Sequence, residues 1–347
     1  MLRITLPLAH PFRTSRGVDV ERRLCVVRVV TPEGEGWGEC AALNEPGYTP
    51  EWADGAATVI ETQLAPALLR GEPPADPLHP MASAALSLAL LDAELRATGV
   101  SLASHLGATA TRVPSGIALG LDAGVDDVAR AVEAGYHRVK LKIAPGHDVD
   151  FVRSVRRRWP ELALQVDANG AYSPTDADHL AELDDLDLLL IEQPLAAEDL
   201  DGHAALAARL RTPVCLDESI TSVRAADEAL RRGACSVICI KAGRLGGLDE
   251  AVAVHDRCVA AGVPVWCGGM IESGLGRAAN LALAALPGFT LPGDLSASTR
   301  WFAEDLTEPL TLDADGYLAV PSGPGIGVSP RVDALARFTE SRVTVRP

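Results

Sequence analysis

Five charged residues recur along this chain at nearly constant intervals: Lys142, Asp167, Glu192, Asp217 and Lys241, with gaps of 25, 25, 25 and 24 residues. Each sits at or just after the end of a short apolar run: HRVKLK, LALQVD, LDLLLIE, TPVCLD and CSVICIK. One strand, one helix and two loops of a (β/α)₈ barrel take roughly 25 to 30 residues, and barrel active sites lie at the C-terminal ends of the strands. The spacing therefore predicts an α/β fold with a TIM-like barrel. Three carboxylates from consecutive strands are expected to converge on one point, with a lysine on either side.

The rhythm starts near Val113. Predicted strands cover 113–119, 138–143, 162–167, 187–192, 213–218, 236–241, 263–268 and 289–294, with helical segments between them. Strands alternating with helices favour a parallel barrel. The opening third lacks this period. Its alternating runs read as strands, with a hairpin over 22–43, followed by a helix over 50–70 that breaks near Pro66 and Gly71. A strong amphipathic helix is expected over 81–98, ending at Gly99. The division is then an α+β domain over 1–112, a barrel over 113–300 and a C-terminal segment over 301–347. That last segment reads as a hairpin and tail returning to the first domain.

The net charge of −16 argues against a nucleic-acid partner, because phosphate contacts need clustered Lys and Arg. The apolar start carries Pro7 and His10, unlike a secretory leader, and no run reaches the 18 or so apolar residues of a membrane span. A cytoplasmic protein without a membrane partner is expected. Seven cysteines without a CxxC pair read as buried thiols, with Cys235 and Cys239 on one face of a strand.

Lys140 and Lys142 are two apart on a strand and share a face. A lysine amine acts as a base once its pKa falls toward neutrality, which burial and a nearby cation achieve. Asp167, Glu192 and Asp217 offer hard oxygen ligands suited to Mg²⁺, with Mn²⁺ as a substitute. Such a cation would bind a substrate carboxylate and stabilise the second negative charge formed when the α-proton leaves. Acids and lysines at strand ends are often structural ion pairs. Here the runs are otherwise apolar, and five charges in register point to a site.

Other readings stay open on the residues alone. Gly274-Leu275-Gly276 with Ala279, and Asp294 twenty residues after Gly274, match a nicotinamide-dinucleotide fingerprint, but no mononucleotide-binding half precedes them. A dehydrogenase would need no metal. A non-catalytic protein would hold a structural cation in the acids, and a Schiff-base aldolase would use Lys241. Gly268, Gly269 and the following MIESG are expected to present backbone N–H groups to a substrate. Trp37 reads as core, while Tyr48 and Trp266 fit either core or pocket wall.

The motifs KLK, VDAN, LLIEQPL, CLDES, IKAGRLGG, WCGGMIESGLGRAAN and LPGDLSAS, with PFRTSRG, GEGWGEC and LLDAELRA before them, span nearly the whole chain. They resemble the o-succinylbenzoate synthase/N-acylamino acid racemase branch of the enolase superfamily, in which a lysine base works beside Mg²⁺. The resemblance implies that the N-terminal domain caps the barrel, with loops at Arg13–Asp19 and around Tyr48 closing over substrate. It implies Lys142 and Lys241 as opposed acid/base groups, and Asp167, Glu192 and Asp217 as Mg²⁺ ligands. Lys140, Asn169, Glu218 and Arg244 take supporting positions. Ser15, Tyr48, Gly268, Gly269, Met270, Ile271 and Ser296 fall on substrate-facing positions. Ala242 departs from the proline that many relatives carry.

The implied reaction is Mg²⁺-dependent dehydration of a cyclohexadiene carboxylate to o-succinylbenzoate, in menaquinone synthesis. N-acylamino acid racemase is the alternative, and both are open to one enzyme. Dipeptide epimerase and muconate-type cycloisomerase lie further off. A small-molecule carboxylate substrate and a homo-oligomer are also implied.

Overall fold

A computed structural model describes residues 1–346. The N-terminal strands β1 (Leu2–Thr14), β2 (Gly17–Val30) and β3 (Glu35–Cys40) form an antiparallel sheet. Strand β4 (Arg112–Pro114) stands apart. Seven parallel staves follow in chain order: β5 (Gly116–Leu119), β6 (Arg138–Lys142), β7 (Leu164–Asp167), β8 (Ile191–Glu192), β9 (Val214–Leu216), β10 (Val237–Ile240) and β11 (Val265–Cys267). Near the C-terminus, β12 (Tyr317–Ala319) pairs with β4, and β13 (Thr339–Arg342) adds to the outer edge of β1.

Every residue of β5 to β11 is buried, as expected for parallel strands covered by helices on one side and closed on themselves on the other. Period-two alternation then sorts the side chains. Outward ones join the helices in a core containing Val139, Leu141, Val166 and Ile191. Inward ones include Leu190, Cys215, Val237, Cys239 and Trp266, which fill the barrel beneath its charged mouth.

Two expectations need correction here. The segment 289–294 forms no regular strand. It lies between β11 and β5 through two isolated parallel bridges, Val265 to Phe289 and Ser115 to Gly293. Pro292 lacks the N–H that a ladder needs. The barrel is joined there by Asp294 N–H to the Cys267 carbonyl and Gly116 N–H to the Gly293 carbonyl, both 2.9 Å. Cys235 precedes β10 and packs in the outer core, so it does not share the interior face of Cys239. All seven cysteines are free and buried.

The helical stretch over Ala53–Leu69 runs on past Pro66 instead of breaking there. A wide turn over Ile60–Leu64, with the Ala65 N–H reaching back to the Ile60 carbonyl, directly precedes the proline. The helix Pro80–Thr98 is not amphipathic in the usual sense. Its consecutive residues Met81 to Leu86 are all buried, because β3 lies on one side and the short helix Ala242–Leu245 on another. Its close approach to β3 depends on Gly38: a Cβ there would stand 1.9 Å from the Ala85 carbonyl oxygen. Gly38→Ala is expected to destabilise the protein by about 1–3 kcal/mol, the usual range for overpacking. A urea midpoint unchanged from wild type would refute this packing argument. Among the described residues, no helix is long and apolar enough to cross a membrane.

Candidate active site

The barrel register brings the charged residues together at one end. Lys142 pairs with Asp167 across β6 and β7, and Asp167 with Glu192 across β7 and β8. Lys142 Nζ donates to Asp167 Oδ2 at 2.6 Å and to Asn169 Oδ1 at 2.5 Å. Lys140 Nζ donates to Glu192 Oε2 at 2.9 Å, lies 3.2 Å from Asp167 Oδ2 and also pairs with Asp294. Lys241 Nζ, on the far side, donates to Asp217 Oδ2 and to the Tyr48 hydroxyl, both at 2.8 Å. Arg244 completes that cluster through Asp217 and Tyr48. All five periodic residues are buried.

Charges balance within this interior. Burial, the largest single influence, lowers the Lys241 pKa, but Asp217, Tyr48 and Cys239 together outweigh it and hold the amine well above its ordinary value. Lys140 is likewise held up against burial, chiefly by Asp294 and Glu192. The expected fall of a lysine toward neutrality is therefore absent for Lys241 while Asp217 is its counterion. Asp217 itself is held well below the usual carboxylate range, because Arg244 and Lys241 overcome its burial. Glu192 is pushed the other way, by burial first and Asp167 second.

Two buried carboxylate oxygens, Glu192 Oε1 and Glu218 Oε2, have no hydrogen-bond partner. Orphaned acceptors of this kind are costly in an interior and fit a bound cation. One oxygen each of Glu192 and Asp217 and the Cys239 sulfur lie within 4.8 Å of one another. Asp167 stands outside that trio; its Oδ2 lies 2.6 Å from Lys142 Nζ and 3.2 Å from Lys140 Nζ. The hard oxygens suit Mg²⁺ better than the thiol, whose pKa burial drives well upward. Of the three periodic carboxylates, Glu192 and Asp217 are the two whose oxygens the fold brings within reach of one ion.

The N-terminal sheet supplies the roof. Ser15 Oγ lies 3.5 Å from the Ala168 carbonyl, and Tyr48 Oη lies 3.1 Å from Asp217 Oδ2. A family profile described as enolase C-terminal domain-like matches residues 124–334. The chain belongs to the enolase superfamily. An "N-succinylamino acid racemase" from Amycolatopsis is 51% identical over 99% of this chain and 97% of its own length. An "o-succinylbenzoate synthase" from Geobacillus kaustophilus is 42% identical, covering 97% of this chain and 94% of that protein. The crystal structure of an enolase-superfamily member from Listeria innocua superposes with a TM-score of 0.92 at 40% identity, covering 98% of this chain and 96% of that one.

Within this enolase-superfamily chain the glycine-loop expectation needs revising. The Gly268 N–H donates to the Ile240 carbonyl at 2.9 Å, so it serves the barrel ladder and not a ligand. A Cβ at Gly268 would meet Cys239 Sγ at 2.5 Å and Lys241 Cε at 2.7 Å, so this glycine makes room for the lysine stem. Gly269 runs close to the Asp294 carbonyl. Met270 is buried and lines a neighbouring cavity, and Ile271 adopts a left-handed φ of 58°. Ser296 is buried, and its carbonyl accepts from Arg277 at 3.0 Å. Among the described residues, no hydrogen bond ties Ser296 to the five charges.

The dinucleotide match loses its site. The helix Gly274–Ala284 has its N-terminal amides filled by protein carboxylates: Ser273 and Gly276 N–H donate to Glu39, and Gly274 N–H donates to Asp305. That is the position where a pyrophosphate would bind. Trp266 proves to be interior core, with its ring 4.9 Å from Lys140 Nζ and its indole N–H 3.4 Å from Cys215 Sγ. Trp37 is core as well.

Sequence reasoning missed three participants. Asp294 enters the sequence reading through the dinucleotide match and the motif LPGDLSAS without a role of its own, yet it clamps Lys140 and Arg138. Gln193, at a left-handed φ of 38°, accepts the Asp217 and Ser219 amides through its side-chain oxygen. Arg16 reaches Glu218 at 3.3 Å. The glutamine's place in LLIEQPL, directly after Glu192, was an available signal. Arg16 carried none beyond its loop.

Proposed function

We propose that this chain is a Mg²⁺-dependent o-succinylbenzoate synthase whose site also supports N-succinylamino acid racemisation. The observation that carries this reading is the pair of buried amines, Lys142 and Lys241, at the ends of staves β6 and β10, with three carboxylates at the ends of the staves between them. The divalent cation, held by Asp167, Glu192 and Asp217, would neutralise the charge that builds on the substrate carboxylate.

Lys142 takes the α-proton. In the synthase reaction it returns that proton to the departing hydroxyl on the same face, while Lys241 stays protonated and stabilises the enediolate. Asn169 steadies Lys142 through its side-chain oxygen, and Lys140 adds a fixed positive charge beside it. In racemisation, one lysine removes the proton and the other delivers one to the opposite face. Lys241, paired with Asp217 on the side away from Lys142, is the group that would deliver the proton to that opposite face. The 51% identical relative is a racemase by name.

The proposal extends to a cap over 1–112, a barrel over 113–300 and a closing segment over 301–347. It includes a cytoplasmic homo-oligomer acting on a small carboxylate, with Ser15, Tyr48, Gly269, Met270, Ile271 and Ser296 near the substrate.

Purified protein should convert both the cyclohexadiene carboxylate and an N-succinylamino acid. EDTA should stop both reactions and added Mg²⁺ should restore them. Turnover that ignores EDTA, or that consumes a nicotinamide cofactor, would exclude the proposed chemistry.

A further inference from the structure

Arg16 occupies the turn between β1 and β2. Its Nη1 donates to the Gly47 carbonyl, and its Nη2 donates to the Asn169 carbonyl at 3.2 Å and to Glu218 Oε1 at 3.3 Å. Its guanidinium carbon lies 5.8 Å from the Tyr48 ring centroid. These neighbours flank the reaction centre on both sides, because Asn169 holds Lys142 and Tyr48 holds Lys241. Arg16 thus spans the gap between the two amines from the cap side.

Exposure separates it from the other cations. Its side chain is 34% exposed, against 9% for Lys142 and 8% for Lys241. Its one carboxylate partner, Glu218, is shared with Asn169 Nδ2 at 3.0 Å. A guanidinium carries five N–H donors in a planar fork, so about two remain beyond the three contacts above. The two left over, the Nε–H and one Nη1–H, can each donate a charge-assisted hydrogen bond to a carboxylate.

A substrate whose reacting carboxylate points into the buried acids turns its other end toward this rim. The two relatives' names share a succinyl group, which ends in a second carboxylate. We infer that Arg16 binds this distal carboxylate and selects succinyl substrates over acyl analogues of equal length that end in a methyl group. The inference rests on the proposed function for the direction in which the substrate lies.

Calorimetric binding of an N-succinylamino acid and its N-butyryl counterpart, with Mg²⁺ present, tests it without requiring turnover. Wild type should prefer the succinyl ligand by about tenfold or more, as expected for a hydrogen-bonded charge pair. Arg16→Met should bring the two affinities to within about twofold, and Arg16→Lys should recover part of the preference. Arg16 lies on an exposed turn, and thermal melts of both variants check that the fold persists. A wild type that binds the two ligands equally, or an Arg16→Met protein that keeps the preference, overturns the assignment. So does a preference that collapses in Arg13→Met instead. Hydrogen–deuterium exchange at the α-carbon, followed by NMR in the same samples, tests the underlying reaction separately. Selective binding without exchange would sink the proposed reaction and leave Arg16 standing.

Discussion

Lys142→Ala is expected to abolish both elimination and racemisation, with α-proton exchange in deuterated solvent falling by about 10²–10⁴-fold, the usual contribution of a positioned acid/base group. Lys142 is the amine that donates to both Asp167 and Asn169. Lys140 is two residues back on the same strand, but its ammonium is engaged by Glu192, Asp167 and Asp294, so it is poorly placed to substitute. Lys241→Ala should separate the two reactions. Racemisation needs a proton from the opposite face and should be lost, whereas elimination should keep part of its rate, because Lys241 there only stabilises charge. Full racemase turnover in Lys241→Ala would show that the amines do not act as an opposed pair.

Asp217→Asn is expected to damage stability as well as activity. Asp217 is the shared counterion of Lys241 and Arg244, both buried. Neutralising it leaves two interior cations with only the Tyr48 hydroxyl and backbone carbonyls. Removing one partner of a buried ion pair costs about 3–5 kcal/mol, with the asparagine amide recovering a fraction as hydrogen bonds. The proposed cation site would lose one of its three proposed carboxylates, and Mg²⁺-dependent turnover should fall below detection. A pH dependence follows from the same pairing. The folded-state pKa of Asp217 lies well below its unfolded value. Its contribution is therefore complete above about pH 4 and lost as acid carries the pH down through the folded value. Unfolding midpoints measured between neutral and strongly acidic pH should drop more steeply in wild type than in Asp217→Asn. Parallel curves would mean that the ion pair does not support the fold.

Much of this site was legible in the primary structure because a barrel repeats. One strand–helix unit in about 25 residues and a period of two within each strand place Lys140, Lys142, Asp167, Glu192, Asp217 and Lys241 on interior faces at one end. The cap was less legible. Its strands show alternation, but the apolar helix Pro80–Thr98 packs on two sides, and its consecutive buried residues hide the one-sided pattern that amphipathic reading relies on. The glycine loop misled for a different reason. The Gly268 amide sits in a ladder with Ile240, and that pairing depends on strand register, which a GG dipeptide does not reveal.

Local periodicity alone determined the charge layout and the barrel, since both follow from residues within one repeat of each other. Partner choice came only with chain closure. Tyr48 meets Lys241 across 193 residues, Arg16 meets Glu218 across 202, and Lys140 pairs with Asp294 on a segment whose proline prevents a regular eighth stave. Asp167 and Glu192, on neighbouring staves, share the Lys140 ammonium between them at 3.2 and 2.9 Å, and Lys142 lies 2.6 Å from Asp167. Competition among charges packed at such distances is set by three-dimensional placement, and no spacing along the chain encodes it.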